Sequence, residues 1–161
     1  MRTLLRGVLA GAAGTLAMDL LWYSRHRRSG GTDSFAEWEV AGDVESWDDA
    51  PAPGRMGHKL LALAGHEPPV ERAAVITNAM HWGYGTAWAA AYAVLARRRR
   101  WWAGPAFGAF VWGSDYVVLP LAGIYEPIWR YDVPALAGDL SAHVVYGVVT
   151  DAALRVLARD A

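Results

Sequence analysis

The stretch that decides the fold runs from Ala73 to Ala96, AAVITNAMHWGYGTAWAAAYAVLA, 24 residues without one Asp, Glu, Lys or Arg. A helix on the outside of a soluble bundle would carry a charged face at a 3.6-residue period, and this segment has none. A bilayer's hydrocarbon core is about 30 Å thick, so about 20 apolar helical residues cross it. Three further segments have the same character. Thr3–Tyr23 carries only Arg6 and Asp19, Trp101–Tyr125 only Asp115, and Val133–Leu154 only Asp139 and Asp151, each towards an end. These patterns predict an all-α, four-transmembrane-helix bundle, one integral membrane domain over residues 1–161. Its spans are about 3–23, 73–96, 101–125 and 134–154, joined by a long polar outer loop, about 25–72.

Averages hide this segregation. The 161 residues are 54% hydrophobic and 19% charged, with a formal net charge of −1, yet nine of the sixteen acidic residues fall in Ser24–Arg72. Such a balance argues against a nucleic-acid partner, which needs a basic surface, and against a disordered chain. The absence of cysteine excludes disulfides, thiol catalysis and cysteine-held metals. Fourteen arginines against the single Lys59, with thirty alanines, point to a GC-rich, bacterial source. A signal peptide cut after Ala17 competes for the first segment. That run continues through Leu20, Leu21, Trp22 and Tyr23 to arginines, which favours a retained helix.

Arg97–Arg100 lies between the second and third spans, and the positive-inside rule makes that short hairpin cytoplasmic. Both termini are then cytoplasmic, in agreement with Arg2, Arg6, Arg155 and Arg159, while Arg25, Arg27 and Arg28 oppose it. Trp22, Tyr23, Trp101, Trp102, Tyr125, Trp129 and Tyr131 fall at or near span ends, where interfacial aromatic belts form. In the outer loop, Arg55–Ala64 is expected to form a short helix on the membrane or against the bundle. The loop's His26, His58 and His66 read as solvated.

The chain matches itself at an offset of 62 residues. His81, Tyr84, Gly85, Ala90-Ala91 and Val94–Arg97 recur as His143, Tyr146, Gly147, Ala152-Ala153 and Val156–Arg159, nine identities in seventeen positions. More faintly, Gly7, Gly11 and Asp19 correspond to Gly104, Gly108 and Asp115. Each half is then an Asp-bearing helix followed by a His-bearing helix, a parallel repeat about an axis along the membrane normal. Gly7, Gly11, Thr15 and Asp19 step by four and share one helix face; Gly104, Gly108, Trp112 and Asp115 nearly do. Small residues at this spacing let helices approach closely in a membrane. Without a preceding strand the glycines do not read as a nucleotide loop.

Asp19, His81, Asp115 and His143 all fall in the outer part of the spans, with Tyr84 and Tyr146 one turn from the histidines. Ionisable groups in spans are costly, so they face inward, pair and mark sites. Three readings follow: hydrogen bonds that fasten helices, a proton-responsive or proton-relaying site, or a metal site built from two His and two Asp. Neither an H-x-x-x-H nor an H-x-x-E-H spacing supports the metal, and no cofactor motif is present. Without a G-x-S-x-G elbow, an H-E-x-x-H or a phosphate loop, no enzyme class is indicated. A structural or assembly role, as a homo-oligomer or with another membrane protein, stands beside these.

Asn78–Val156 resembles the YagU-like family of small bacterial inner-membrane proteins. The resemblance is carried by His81-Trp82-Gly83, Trp102-Ala103-Gly104 through Gly108-Ala109, Leu119–Gly123, the loop Pro127–Asp132 and Gly138…His143. It covers about half the chain and implies a multi-pass inner-membrane protein. It also implies an association with acid tolerance, as in at least one member, without an established activity or catalytic residues.

Overall fold

Glycines and acidic caps set where the helices of this chain stop and start. The computed structural model describes residues 1–40, 44–96 and 100–159. Over these the chain forms α1 (Arg2–Arg28), α2 (Phe35–Glu39), α3 (Ala52–Leu63), α4 (Ala73–Leu95), α5 (Ala103–Leu121) and α6 (Val133–Arg159), without strands. Arg97–Arg99 of the arginine hairpin, and the side chain of Arg159, lie outside the described residues.

The two helices that open each half end alike. Beyond α1, Gly30 takes φ +101° and Gly31 N–H donates to His26 O, 3.0 Å; beyond α5, Gly123 takes φ +65° and Ile124 N–H donates to Leu119 O, 2.9 Å. Both use the left-handed conformation that glycine adopts without steric cost to satisfy the last carbonyls. Pro120 and this turn stop α5 at Leu121, four residues short of the expected limit. α6 starts where Asp132 Oδ1 accepts the N–H of Ala135, 2.8 Å. In α2, Ser34 and Glu37 form a reciprocal capping box: Ser34 N–H donates to Glu37 Oε2 at 2.8 Å and Glu37 N–H to Ser34 Oγ at 3.3 Å. Both short helices belong to the 25–72 loop. α3 packs on α4 through Gly54 and Gly57, against Thr77, Ile76 and Met80, so it lies against the bundle.

The four long helices are inside out by the standard of a soluble protein. Most of their buried positions are small or polar, among them Gly7, Ala10, Gly11, Gly14, Thr15, Ala89, Ala93, Gly104, Gly108, Ala142 and Thr150; Phe107, Val111, Tyr146 and Leu154 are the large exceptions. Large apolar side chains point outward on every one of them, among them Leu5 and Leu9, Val75 and Leu95, Phe110 and Leu121, and Val148 and Val156. Burying alanine removes little apolar area from water, so such a core supplies little hydrophobic stabilisation. Close backbone packing is the alternative source of stability, and it operates where lipid surrounds the helices.

Two helices, Arg2–Arg28 and Val133–Ala158, are long and apolar enough to cross a membrane, with 33% of each apolar window buried. α4 and α5 fall short of that measure. α4 carries no charge but is diluted by Asn78, His81 and four Trp or Tyr, and α5 by three glycines, two prolines and Asp115.

α1 lies at the centre, packed on both α4 and α6, while α5 packs on α6. The glycine ladders make these contacts. A Cβ on Gly7 would lie 2.6 Å from Ala90 Cα, and one on Gly11 2.8 Å from Thr86 Cα. Gly104 faces Gly147 O, 2.9 Å from its would-be Cβ, and one on Gly108 would run into the His143 carbonyl. The faint correspondence between the first helices does not keep register. Gly7 meets Ala89, Ala90 and Ala93, whose equivalents are Asp151, Ala152 and Arg155, but Gly104 meets Gly147, Val148 and Asp151, one turn away.

Candidate functional site

The ladder on α1 brings its acid to the histidine of α4. Gly7 and Gly11 seat against Ala93, Ala89 and Thr86, Thr15 against Gly85, and four residues on Asp19 meets His81. His81 Nε2 and Asp19 Oδ1 are 2.8 Å apart, and Asp19 is only 4% exposed. In the second half His143 Nε2 lies 3.2 Å from Asp115 Oδ2. Each Asp of the expected cluster therefore meets the His of its own half.

The tyrosines join the halves. Tyr84 of α4 donates its hydroxyl to Asp115 Oδ1 of α5, 2.7 Å, and Tyr146 of α6 donates to Gly85 O of α4, 2.6 Å. His143 has a second acid: Nδ1 lies 3.0 Å from Asp139 O and 3.4 Å from Asp139 Oδ1. An imidazole with both ring nitrogens facing carboxylates can donate to both only as the imidazolium. Removing one member of such a buried pair costs about 3–5 kcal/mol, because the other is left unpaired.

These groups wall one cavity of about 360 Å³, enclosed by α1, α4, α5 and α6 and roofed by Pro51–Pro53 and Met56 at the start of α3. His81, Tyr84, Asp115, His143 and Tyr146 border it, and Asp19 stands behind His81. Arg55 holds the roof down by donating from Nη1 to Ile124 O, 3.0 Å, in the loop after α5. Asp19 Oδ2 and Thr15 Oγ1 are buried without a hydrogen-bond partner among the described residues. Gly7, Gly11, Gly104 and Gly108 are kept away from the cavity, on the helix seams.

Sequence reasoning placed Asp139 near the end of a span without joining it to the site, although its i, i+4 spacing from His143 is a usable signal. It also did not single out Thr15, whose step on the α1 face put it one turn below Asp19. Among the described residues no group of three or more His, Asp or Glu side chains could hold one metal ion, so the two-His, two-Asp ligand set does not assemble.

Three other polar groupings lie elsewhere. Tyr92 donates to Asp151 Oδ1, 2.8 Å, and Arg155 Nε to Asp151 Oδ2, 2.7 Å, at the opposite end of the bundle. Arg25, counted above against the orientation, donates to Gly138 O and Ser141 Oγ of α6 at 2.8 and 2.7 Å. The loop histidines find local partners: His26 pairs with Asp33, His58 stacks on Trp47 with ring centroids 4.3 Å apart, and His66 meets Ala64 O. Comparison with known proteins gives no match: no family model fits the sequence, and no curated protein or solved structure is significantly similar to it.

Proposed function

We propose that this chain is a four-span protein of the bacterial inner membrane, both termini cytoplasmic, whose outward-facing Asp/His cluster takes up and releases protons. The membrane reading is supported by large apolar side chains turned outward on all four long helices around a core rich in Gly, Ala and Thr. Trp101 and Trp102 at one end and Trp129 at the other are exposed, as interfacial anchors should be. Arg25 and Arg27, which oppose the orientation, are taken up by Gly138 O, Ser141 and Asp33 O.

The observation that carries the functional reading is the arrangement of His143 between Asp115 and Asp139, opposite His81–Asp19, around a single cavity. Helix fastening alone needs no shared space between the two pairs. Imidazole is the side chain that ordinarily changes charge between about pH 5 and 8, so such a space answers to the outside pH. The link to acid-stress tolerance, and the YagU-like resemblance behind it, belong to the same proposal.

Trp22 borders the cavity and reports on it. In purified protein its fluorescence is expected to titrate with pH, and the double variant His81→Gln/His143→Gln to lose that titration while remaining folded. In cells the same variant, at unchanged membrane abundance, is expected to lose acid survival. A folded double variant with the parental titration and survival would refute the reading.

A further inference from the structure

The cavity holds more room than the two Asp–His pairs fill, and its lining restricts what fits. About 360 Å³ lies within the range of small-molecule sites. Among the described residues neither Lys nor Arg borders it, whereas Asp115 and Asp139 do, and these two carboxylates face the one ring of His143. With that ring protonated one carboxylate charge is left uncompensated; with it neutral, both are. An anion is excluded by this balance, and a cation is drawn in.

Aromatic faces complete the recognition. Trp22, Tyr84 and Tyr125 line the same space, and aromatic faces attract organic cations by cation–π contact. Met18, Met56 and Met80 border the cavity as well, so an apolar group attached to the cation finds apolar contact there.

We propose that the cavity binds a small lipophilic ammonium ion, R–NH3+, in exchange for the proton carried by His143. The step rests on the proton-responsive reading above and names its ligand. The ammonium enters intact, its N–H groups donate to Asp115 and Asp139, and its hydrocarbon part lies among Met18, Met56 and Met80. The N–H bond of the His143 imidazolium breaks, its electron pair stays on the ring, and the proton leaves to water on the outer side. One positive charge replaces another.

The groups facing His143 come from each helix around it. α4 supplies His81 and Tyr84, with Asp19 of α1 behind His81; α5 supplies Asp115. Tyr125 follows α5, while Asp139 and Tyr146 share α6 with His143. α3 and Pro51 add no titratable lining group, and Arg25 of α1 is held further out on Gly138 O and Ser141.

The test is calorimetric titration of purified protein in neutral detergent with 2-phenylethylammonium, using 2-phenylethanol as the uncharged analogue. Paired buffers of different ionisation enthalpy count the protons released. Saturable ammonium binding is expected, with about one proton released per ion below the pH of the site's titration and none above it. Affinity should fall about tenfold for each pH unit below the site's titration. The alcohol, and the ammonium on Asp139→Asn, should bind at least about tenfold more weakly, a loss of about 1.4 kcal/mol. Equal binding of alcohol and ammonium, no ammonium binding, or binding without proton release below the site's titration would each overturn the proposal. The Trp22 titration of the ligand-free protein separates the two readings. If it persists without ammonium binding, only the ligand is refuted; if it is absent, the proton-responsive reading falls.

Discussion

Two glycines of α5 offer a controlled test of how the long helices pair. Gly108 and Gly113 lie five residues apart in one helix, but only the first is at a seam. A Cβ added at Gly108 would strike the His143 carbonyl oxygen and come within 2.7 Å of its carbon and 3.0 Å of Val144 Cα, whereas at Gly113 it meets nothing within 4 Å. Every atom in the way at Gly108 is backbone, so no side-chain rotation relieves the clash and α5 must move off α6. Alanine is the better helix former by about 1 kcal/mol, so Gly113→Ala is expected to be neutral to stabilising by up to that amount. Gly108→Ala has the same gain set against overpacking of about 1–3 kcal/mol, and separation also stretches the 3.2 Å Asp115–His143 pair. The shared gain cancels, so the two variants should differ by about 1–3 kcal/mol, the smaller figure being about fivefold in the folded-to-unfolded ratio. Unfolding titrations in mixed detergent micelles read this directly. Gly11→Ala against Gly83→Ala repeats the comparison at the α1–α4 seam, because Gly83 also has open space. Equal stability of Gly108→Ala and Gly113→Ala would show that α5 does not present this face to α6, and the geometry of the His143 site would fall with it.

Two further outcomes follow from groups outside the cavity. Tyr92→Phe removes one donor to Asp151, buried at 5% exposure, and should destabilise the bundle by about 1.5–3 kcal/mol, the range for hydrogen bonds to charged groups; unchanged micellar unfolding would contradict this. The Ser34 hydroxyl and N–H hold the Glu37 carboxyl below its usual range. A group lowered on folding stabilises fully above its unfolded pKa and loses that contribution as pH falls through the folded value. Amide protection in α2 should therefore decline below about pH 4, and protection that persists to much lower pH would refute the capping role.

Helix class and the approximate limits of the long helices were legible because charge is excluded from them in blocks that single residues do not blur. The site was legible for a different reason. Polar residues inside such blocks are few, and the four-residue step from Gly7 to Asp19 fixes which face they share. What the step could not supply was the register of each helix against its neighbour. A ladder can slide by one turn without changing which residues face inward, and between the two halves it does: Gly7 and Gly104 meet positions one turn apart in the repeat. α5 also stops early because a capping glycine and Pro120 outweigh the apolar run that continues past them. The two-His, two-Asp ligand set does not assemble among the described residues for a reason of packing rather than of residue type. His143 takes Asp115 and Asp139 as partners on opposite ring nitrogens, which spends both nitrogens on hydrogen bonds.

The departure from repeat symmetry is what opens the cavity. A faithful repeat would set α5 against α4 as α1 sits against α6, but of these two pairs only α1 and α6 pack closely among the described residues. The 62-residue correspondence locates the cause. Tyr84, Trp88 and Tyr92 of α4 become Tyr146, Thr150 and Leu154 in α6. On α6 the two smaller residues let Gly14 and Ala10 of α1 come in close. On α4 the rings stay large and meet rings on α5, Tyr92 stacked on Phe107 at 4.3 Å and Trp88 edge-on to Phe110 at 5.4 Å between centroids. Aromatic pairs of this kind hold two helices further apart than a glycine seam does. Towards the end that α3 covers, the wedge continues with Tyr84 reaching across to Asp115, and the space beyond the rings is the cavity that Pro51–Pro53 and Met56 roof.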